Sequence, residues 1–108
     1  MEIERYIFTS VNPEDPNPFK VKIKIRCITD DPKLGRYIQN QMLWYAKAFG
    51  CEDAVIFDDD NEYWTVLIFA YPEPNQMAYT VPQAISNKVE ELPSKYQKLM
   101  EHIRKGVG

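Results

Sequence analysis

The clearest pattern in the sequence is a strict alternation of apolar and cationic residues between positions 19 and 27. The apolar members are Phe19, Val21, Ile23, Ile25 and Cys27, and the cationic members are Lys20, Lys22, Lys24 and Arg26. Successive side chains of a β-strand point to opposite faces, so this alternation predicts a strand with one buried face and one wet face.

Three further segments have the composition of strands. Residues 2–10 are rich in strand-forming residues, and a proline-rich loop over 11–18 separates them from the alternating strand. Residues 54–57 and 63–71 are joined by a short polar turn, which predicts a hairpin.

Helices are predicted in the two remaining stretches. Asp31 can cap a helix that begins at Pro32, and Gly50 is placed to end it. Thr80 can cap a second helix that begins at Val81-Pro82, with Pro82 in its first turn, and continues to about Leu92. Pro93 then interrupts the chain before a last apolar stripe at helical spacing, formed by Tyr96, Leu99, Met100 and Ile103.

The predicted element order is therefore β-β-α-β-β-α-α. Hairpins interleaved with helices favour an α+β fold, with a mostly antiparallel four-stranded sheet and helices packed on one face. Two hairpin-like connections make parallel winding a poorer fit, because parallel strands need long crossover connections. We expect a single domain over residues 1–108.

The strand over residues 63–71 is apolar on both faces, so something must cover its second face. Either the helices of the same chain cover both faces, or a second copy of the chain covers one of them. Aromatic side chains supply much of the energy at protein interfaces. We therefore predict self-association as a homodimer through Tyr63, Leu67, Phe69 and Tyr71.

The cationic positions of the alternating strand have two interpretations. Lys20, Lys22, Lys24 and Arg26 lie on one face at alternate positions, and Tyr6 and Phe8 of the first strand could offer stacking surfaces beside them. That arrangement would suit a single-stranded nucleic acid. Alternatively, Glu2 and Glu4 lie opposite the cations and neutralise them, and no ligand is involved.

The turn between the last two strands is acidic, with Asp58, Asp59, Asp60 and Glu62 in five residues. Carboxylate oxygens are ligands for Mg²⁺ and Ca²⁺, but Tyr63 stands where a calcium loop requires glycine. We therefore predict a solvated turn with no metal site, and the alternative is a metal-dependent hydrolase that uses these acidic residues. The turn is a candidate recognition tip for a basic partner.

Composition narrows the function classes further. The chain has 108 residues and a net charge of −3, which disfavours an overall electrostatic grip on nucleic acid. Four glycines cannot build a glycine-rich phosphate cradle, and His102 has no neighbouring catalytic motif, so we predict no cofactor and no catalytic residue.

The segment at the start of the chain lacks the features of a signal peptide, and no apolar run reaches about 20 residues. We therefore expect a soluble, cytoplasmic domain that contacts no membrane. The sequence favours a non-enzymatic protein–protein interaction module of the accessory, assembly or inhibitor type. The alternative is a binder of single-stranded nucleic acid that uses the Lys/Arg positions of the second strand.

Overall fold

Four strands and three helices follow one another in the predicted order in the computed structural model, which describes residues 1–107, the last by its backbone alone. The elements are β1 (Glu2–Val11), β2 (Phe19–Ile28), α1 (Pro32–Ala48), β3 (Asp53–Asp59), β4 (Glu62–Tyr71), α2 (Gln76–Asn87), a 3-10 turn (Lys88–Glu91) and α3 (Leu92–Val107). None of these helices is long and apolar enough to cross a membrane.

The strands form one sheet in the order β1-β2-β4-β3, and every neighbouring pair is antiparallel. The two central strands are β2 and β4, with Phe19 opposite Tyr71 and Cys27 opposite Tyr63. This confirms the predicted α+β class and the predicted antiparallel sheet. It also leaves β1 and β3 as the two edges.

Both α1 and α2 pack on the same face of the sheet. The ring of Phe19 on β2 contacts the ring of Tyr79 on α2, with centroids 5.9 Å apart. At the other end of the sheet, Gly35 of α1 lies against the ring of Tyr63, where a Cβ atom would overlap the ring. The core between the layers is formed by Phe19, Val21, Ile23, Ile25, Cys27, Ile38, Met42, Ala46, Tyr63, Leu67, Phe69, Ala78, Ile85, Val89 and Leu92.

The start of α1 follows the sequence prediction. The Asp31 carboxylate accepts hydrogen bonds from the backbone amides of Lys33 and Leu34, which no carbonyl of the helix can satisfy. Pro32 occupies the first helical position, where its missing amide costs nothing. After the helix, Gly50 adopts a φ of 75°, a conformation that favours glycine.

The predicted start of the second helix is wrong by about one turn. Asn75, not Thr80, is the cap, and its side chain accepts a hydrogen bond from the amide of Ala78. Thr80 lies inside α2 and donates its hydroxyl to the carbonyl of Gln76. Pro82 also lies inside α2 and is buried, so the predicted first-turn position is wrong and the helix lacks one backbone hydrogen bond at this residue.

Candidate functional site

The residues predicted to mediate self-association lie on the helix-covered face of β4. Tyr63, Leu67 and Phe69 are at most 5% exposed and belong to the core, while Tyr71 is half-buried at its margin. Assigning Tyr63, Leu67 and Phe69 to a self-association surface is therefore wrong. Helices α1 and α2 cover this face. The other face of β4 has no helix of residues 1–107 packed on it.

We call the side of the sheet away from the helices the open face. Pairing register places its residues in rows across the four strands. The two middle rows are Tyr6–Lys24–Val66–Val55 and Phe8–Lys22–Ile68–Asp53, and the row beside them is Glu4–Arg26–Trp64–Phe57. All four predicted cations, Lys20, Lys22, Lys24 and Arg26, lie on this face, as the alternation predicts.

Lys20 is neutralised at one end of the row of cations. Its ammonium group donates to the carboxylates of Asp15, at 2.9 Å, and Glu52, at 3.0 Å. The hydrogen bond to Asp15 is the main reason that the pKa of Lys20 is raised. Lys20 therefore ties the proline-rich loop to the start of β3 and is occupied within the chain.

Arg26 is neutralised at the other end. Its guanidinium donates to Glu4 and forms an ion pair with Glu62, and it lies 5.6 Å from the centre of the Trp64 ring. Because its guanidinium has two carboxylate partners and an aromatic face, Arg26 is occupied by contacts within the chain. Glu4 therefore neutralises one cation of β2, as one of the two interpretations predicted, and that cation is Arg26.

The two central lysines, Lys22 and Lys24, have different surroundings from Lys20 and Arg26. Within residues 1–107, neither Lys22 nor Lys24 has a carboxylate within ion-pair distance or a side-chain hydrogen bond. Register explains why: β1 places Phe8 opposite Lys22 and Tyr6 opposite Lys24, where acidic residues would be needed for neutralisation. Both ammonium groups therefore lie on the open face without a carboxylate partner among the described residues.

Tyr6 and Phe8 are exposed side by side on β1, at 43% and 50%. Their rings are nearly parallel, with an interplanar angle of 16° and centroids 6.5 Å apart. The Tyr6 hydroxyl donates to Glu4 at 2.7 Å, and this hydrogen bond is the main cause of a raised pKa at Tyr6 and a lowered pKa at Glu4. The site therefore combines two planar rings with two free cations.

The opposite half of the open face carries an apolar patch beside Asp53. Val55 and Phe57 on the edge strand β3 are about half exposed, and Phe57 stacks on Trp64 with ring centroids 5.7 Å apart. Sequence reasoning missed these residues because it assigned the interface to the other face of β4. The signal was available in the run Val55-Ile56-Phe57, which is apolar at successive positions and so faces both sides of the sheet.

The acidic turn does not gather its carboxylates. Asp58 accepts a hydrogen bond from Gln39 at 3.0 Å, and Glu62 pairs with Arg26, while Asp59 and Asp60 are exposed at the tip. No three metal-ligating side chains in residues 1–107 are placed to hold an ion.

Gln39 is a further buried residue whose role the sequence does not predict. This side chain is 2% exposed, and its amide nitrogen lies within 3.1 Å of the backbone carbonyls of Phe57 and Trp64. It therefore fixes α1 to the β3–β4 hairpin. A lone glutamine in a helical stripe carries no sequence signal for this role.

Comparison with known proteins adds no family. No protein-family model matches the chain, and no curated protein or solved structure gives a match.

Proposed function

We propose that the open face binds single-stranded nucleic acid through Lys22, Lys24, Tyr6 and Phe8. One observation carries the proposal: the β1–β2 register sets the two unneutralised lysines directly opposite the two exposed aromatic rings. Proteins that bind single strands combine a cationic track for the backbone with aromatic side chains on which bases stack. Both components lie here on adjacent strands.

Spacing supports the proposal. Alternate residues on a strand are about 6.8 Å apart, which suits contacts with successive phosphates of an extended nucleic acid strand. The rings of Tyr6 and Phe8 follow the same repeat on the neighbouring strand, since they too are two residues apart. A strand lying along β1 and β2 would thus meet cations and rings in register.

The net charge of −3 does not oppose the proposal, because charges are segregated on the surface. Lys20 and Arg26 neutralise acidic side chains at the two ends of the open face. The middle rows hold lysine, aromatic and aliphatic side chains, with Asp53 on the far edge strand. Interactions between exposed charges are screened over roughly 8–10 Å at physiological salt, so local charge decides binding here.

A charge-reversal experiment tests the proposal. The double variant Lys22→Glu/Lys24→Glu should lose binding to a labelled single-stranded oligonucleotide in fluorescence anisotropy. The matched control is Lys33→Glu/Lys47→Glu, which changes the net charge equally at two exposed positions of α1. Circular dichroism establishes that both variants fold.

The two variants distinguish binding at a specific surface from a general effect of net charge. The proposal expects binding to be retained by the α1 variant at low salt and lost by the open-face variant. Equal loss in both would mean that net charge, not the open face, controls binding. Unchanged affinity in the open-face variant would overturn the proposal.

Self-association is a second candidate, favoured by a different observation. Val55 and Phe57 are about half exposed on an edge strand and extend the apolar surface of Trp64. An exposed apolar patch on a sheet face is typical of protein interfaces. Under this proposal a second copy covers the β3–β4 half of the open face and leaves the β1–β2 half accessible.

A further inference from the structure

We infer that Tyr6 and Phe8 form a slot that takes one unpaired base between their rings. This inference rests on the proposed function and specifies how the bases are held. It concerns two residues of one edge strand, so the aromatic contact is separable from the lysine contacts on β2.

The ring geometry suits an inserted base. Stacked bases in DNA are about 3.4 Å apart, so a base between two rings needs about twice that separation. The Tyr6 and Phe8 centroids are 6.5 Å apart and the rings are inclined by only 16°. The centroid separation is therefore close to the spacing that one inserted base needs, and the two rings are nearly parallel.

The Tyr6 side of the slot is held in place before any ligand arrives. Its hydroxyl donates to Glu4, Glu4 accepts from Arg26, and Arg26 pairs with Glu62 on β4. This chain of charged hydrogen bonds fixes the tyrosine ring relative to the sheet, which lowers the ordering cost of binding. Phe8 lacks such a tether, so it is the ring that adjusts to the base.

Cations lie on the inner side of the slot. Lys24 is opposite Tyr6 and Lys22 is opposite Phe8. Beside Phe8, and not between the two rings, a depression of about 310 Å³ is lined by Phe8, Ser10, Lys22 and Lys24. A base inserted from the edge of the sheet would leave its flanking phosphates near these ammonium groups. Every base has a face that can stack, so the slot favours strands that carry bases over abasic strands. It does not distinguish one base from another.

Oligothymidylate and an abasic strand of the same length test the slot. Both carry the same phosphates, but only the first carries bases. The wild-type protein should bind oligothymidylate about 5- to 150-fold more tightly, the range that corresponds to stacking of one base. Phe8→Leu and Tyr6→Leu should each reduce this preference while retaining binding of the abasic strand. Circular dichroism establishes that both variants fold.

The matched control is Phe57→Leu, which changes a phenylalanine of similar exposure at the other edge of the open face. It should leave the preference intact. Equal binding of both strands by the wild type, with loss in Lys22→Glu/Lys24→Glu, would overturn the slot and leave only the lysine-mediated part of the proposed function standing. Failure of the wild type to bind either strand would overturn the proposed function as well.

Discussion

Glu4 lies directly opposite Arg26 in the pairing of β1 with β2, and the two side chains are hydrogen-bonded. The same carboxylate accepts the hydroxyl of Tyr6. One acidic residue therefore neutralises the last cation of the row and orients an aromatic ring. The next two residues of β1 on the same face are Tyr6 and Phe8. They lie opposite Lys24 and Lys22 and carry no negative charge that could neutralise these lysines.

The Glu4 contacts predict a pH-dependent contribution to stability. Hydrogen bonds from Tyr6 and then Arg26 lower the pKa of Glu4 in the folded protein. A lowered folded pKa stabilises the fold above the unfolded pKa, roughly 4.3 for glutamate, and the effect is lost as pH falls through the folded value. Glu4→Gln should therefore be less stable than the wild type at pH 7.

Urea unfolding at neutral and acidic pH checks this sign. The stability difference between wild type and Glu4→Gln should shrink as the pH falls below roughly 4.3. An unchanged difference across that range would show that the carboxylate charge is not what stabilises the contact.

Two phenylalanines on opposite faces of the sheet test which face the helices cover. Phe69 is 1% exposed beneath the helices, whereas Phe57 is 47% exposed on the open face. Phe69→Ala should lower the free energy of unfolding by about 3–5 kcal/mol, the usual cost for a buried phenylalanine. Phe57→Ala should cost clearly less, and similar losses in urea unfolding would contradict the assignment.

Self-association through the β3–β4 half of the open face predicts a dimer in native mass spectrometry. Phe57→Glu should convert that dimer into a folded monomer, because a charge would be buried in the apolar contact. The matched variant Phe8→Glu, on the other edge of the same face, should remain dimeric. A wild-type monomer at all accessible concentrations would contradict self-association.

The sequence predicted most of the fold because its periodicities are local. Alternation along β2 identified which side chains are buried, and the Asp31-Pro32 pair located the start of α1. The start of α2 was misplaced because Pro82 is a first-turn signal by local rules, whereas packing of the buried helix face decides its position here.

The site was harder to predict, because it depends on register. Sequence alone left open whether Glu2 and Glu4 or the aromatic residues of β1 oppose the cations. A shift of two residues in the pairing would have neutralised Lys24 with Glu4 and left a different surface. Likewise, an apolar strand such as β4 does not reveal which of its faces the helices cover. Only the tertiary arrangement distinguishes Phe69 from Val66.

The most direct test of the proposed function is a fluorescence anisotropy titration of a short labelled oligothymidylate with the wild-type protein at about 50 mM and about 200 mM salt. Two lysine–phosphate contacts on a single strand predict a logarithmic salt slope of about −1.4, or roughly a sevenfold loss of affinity between these conditions. We expect saturable binding with this dependence, and a duplex of the same sequence should compete poorly. Absence of binding at the lower salt concentration would contradict nucleic-acid binding by the open face.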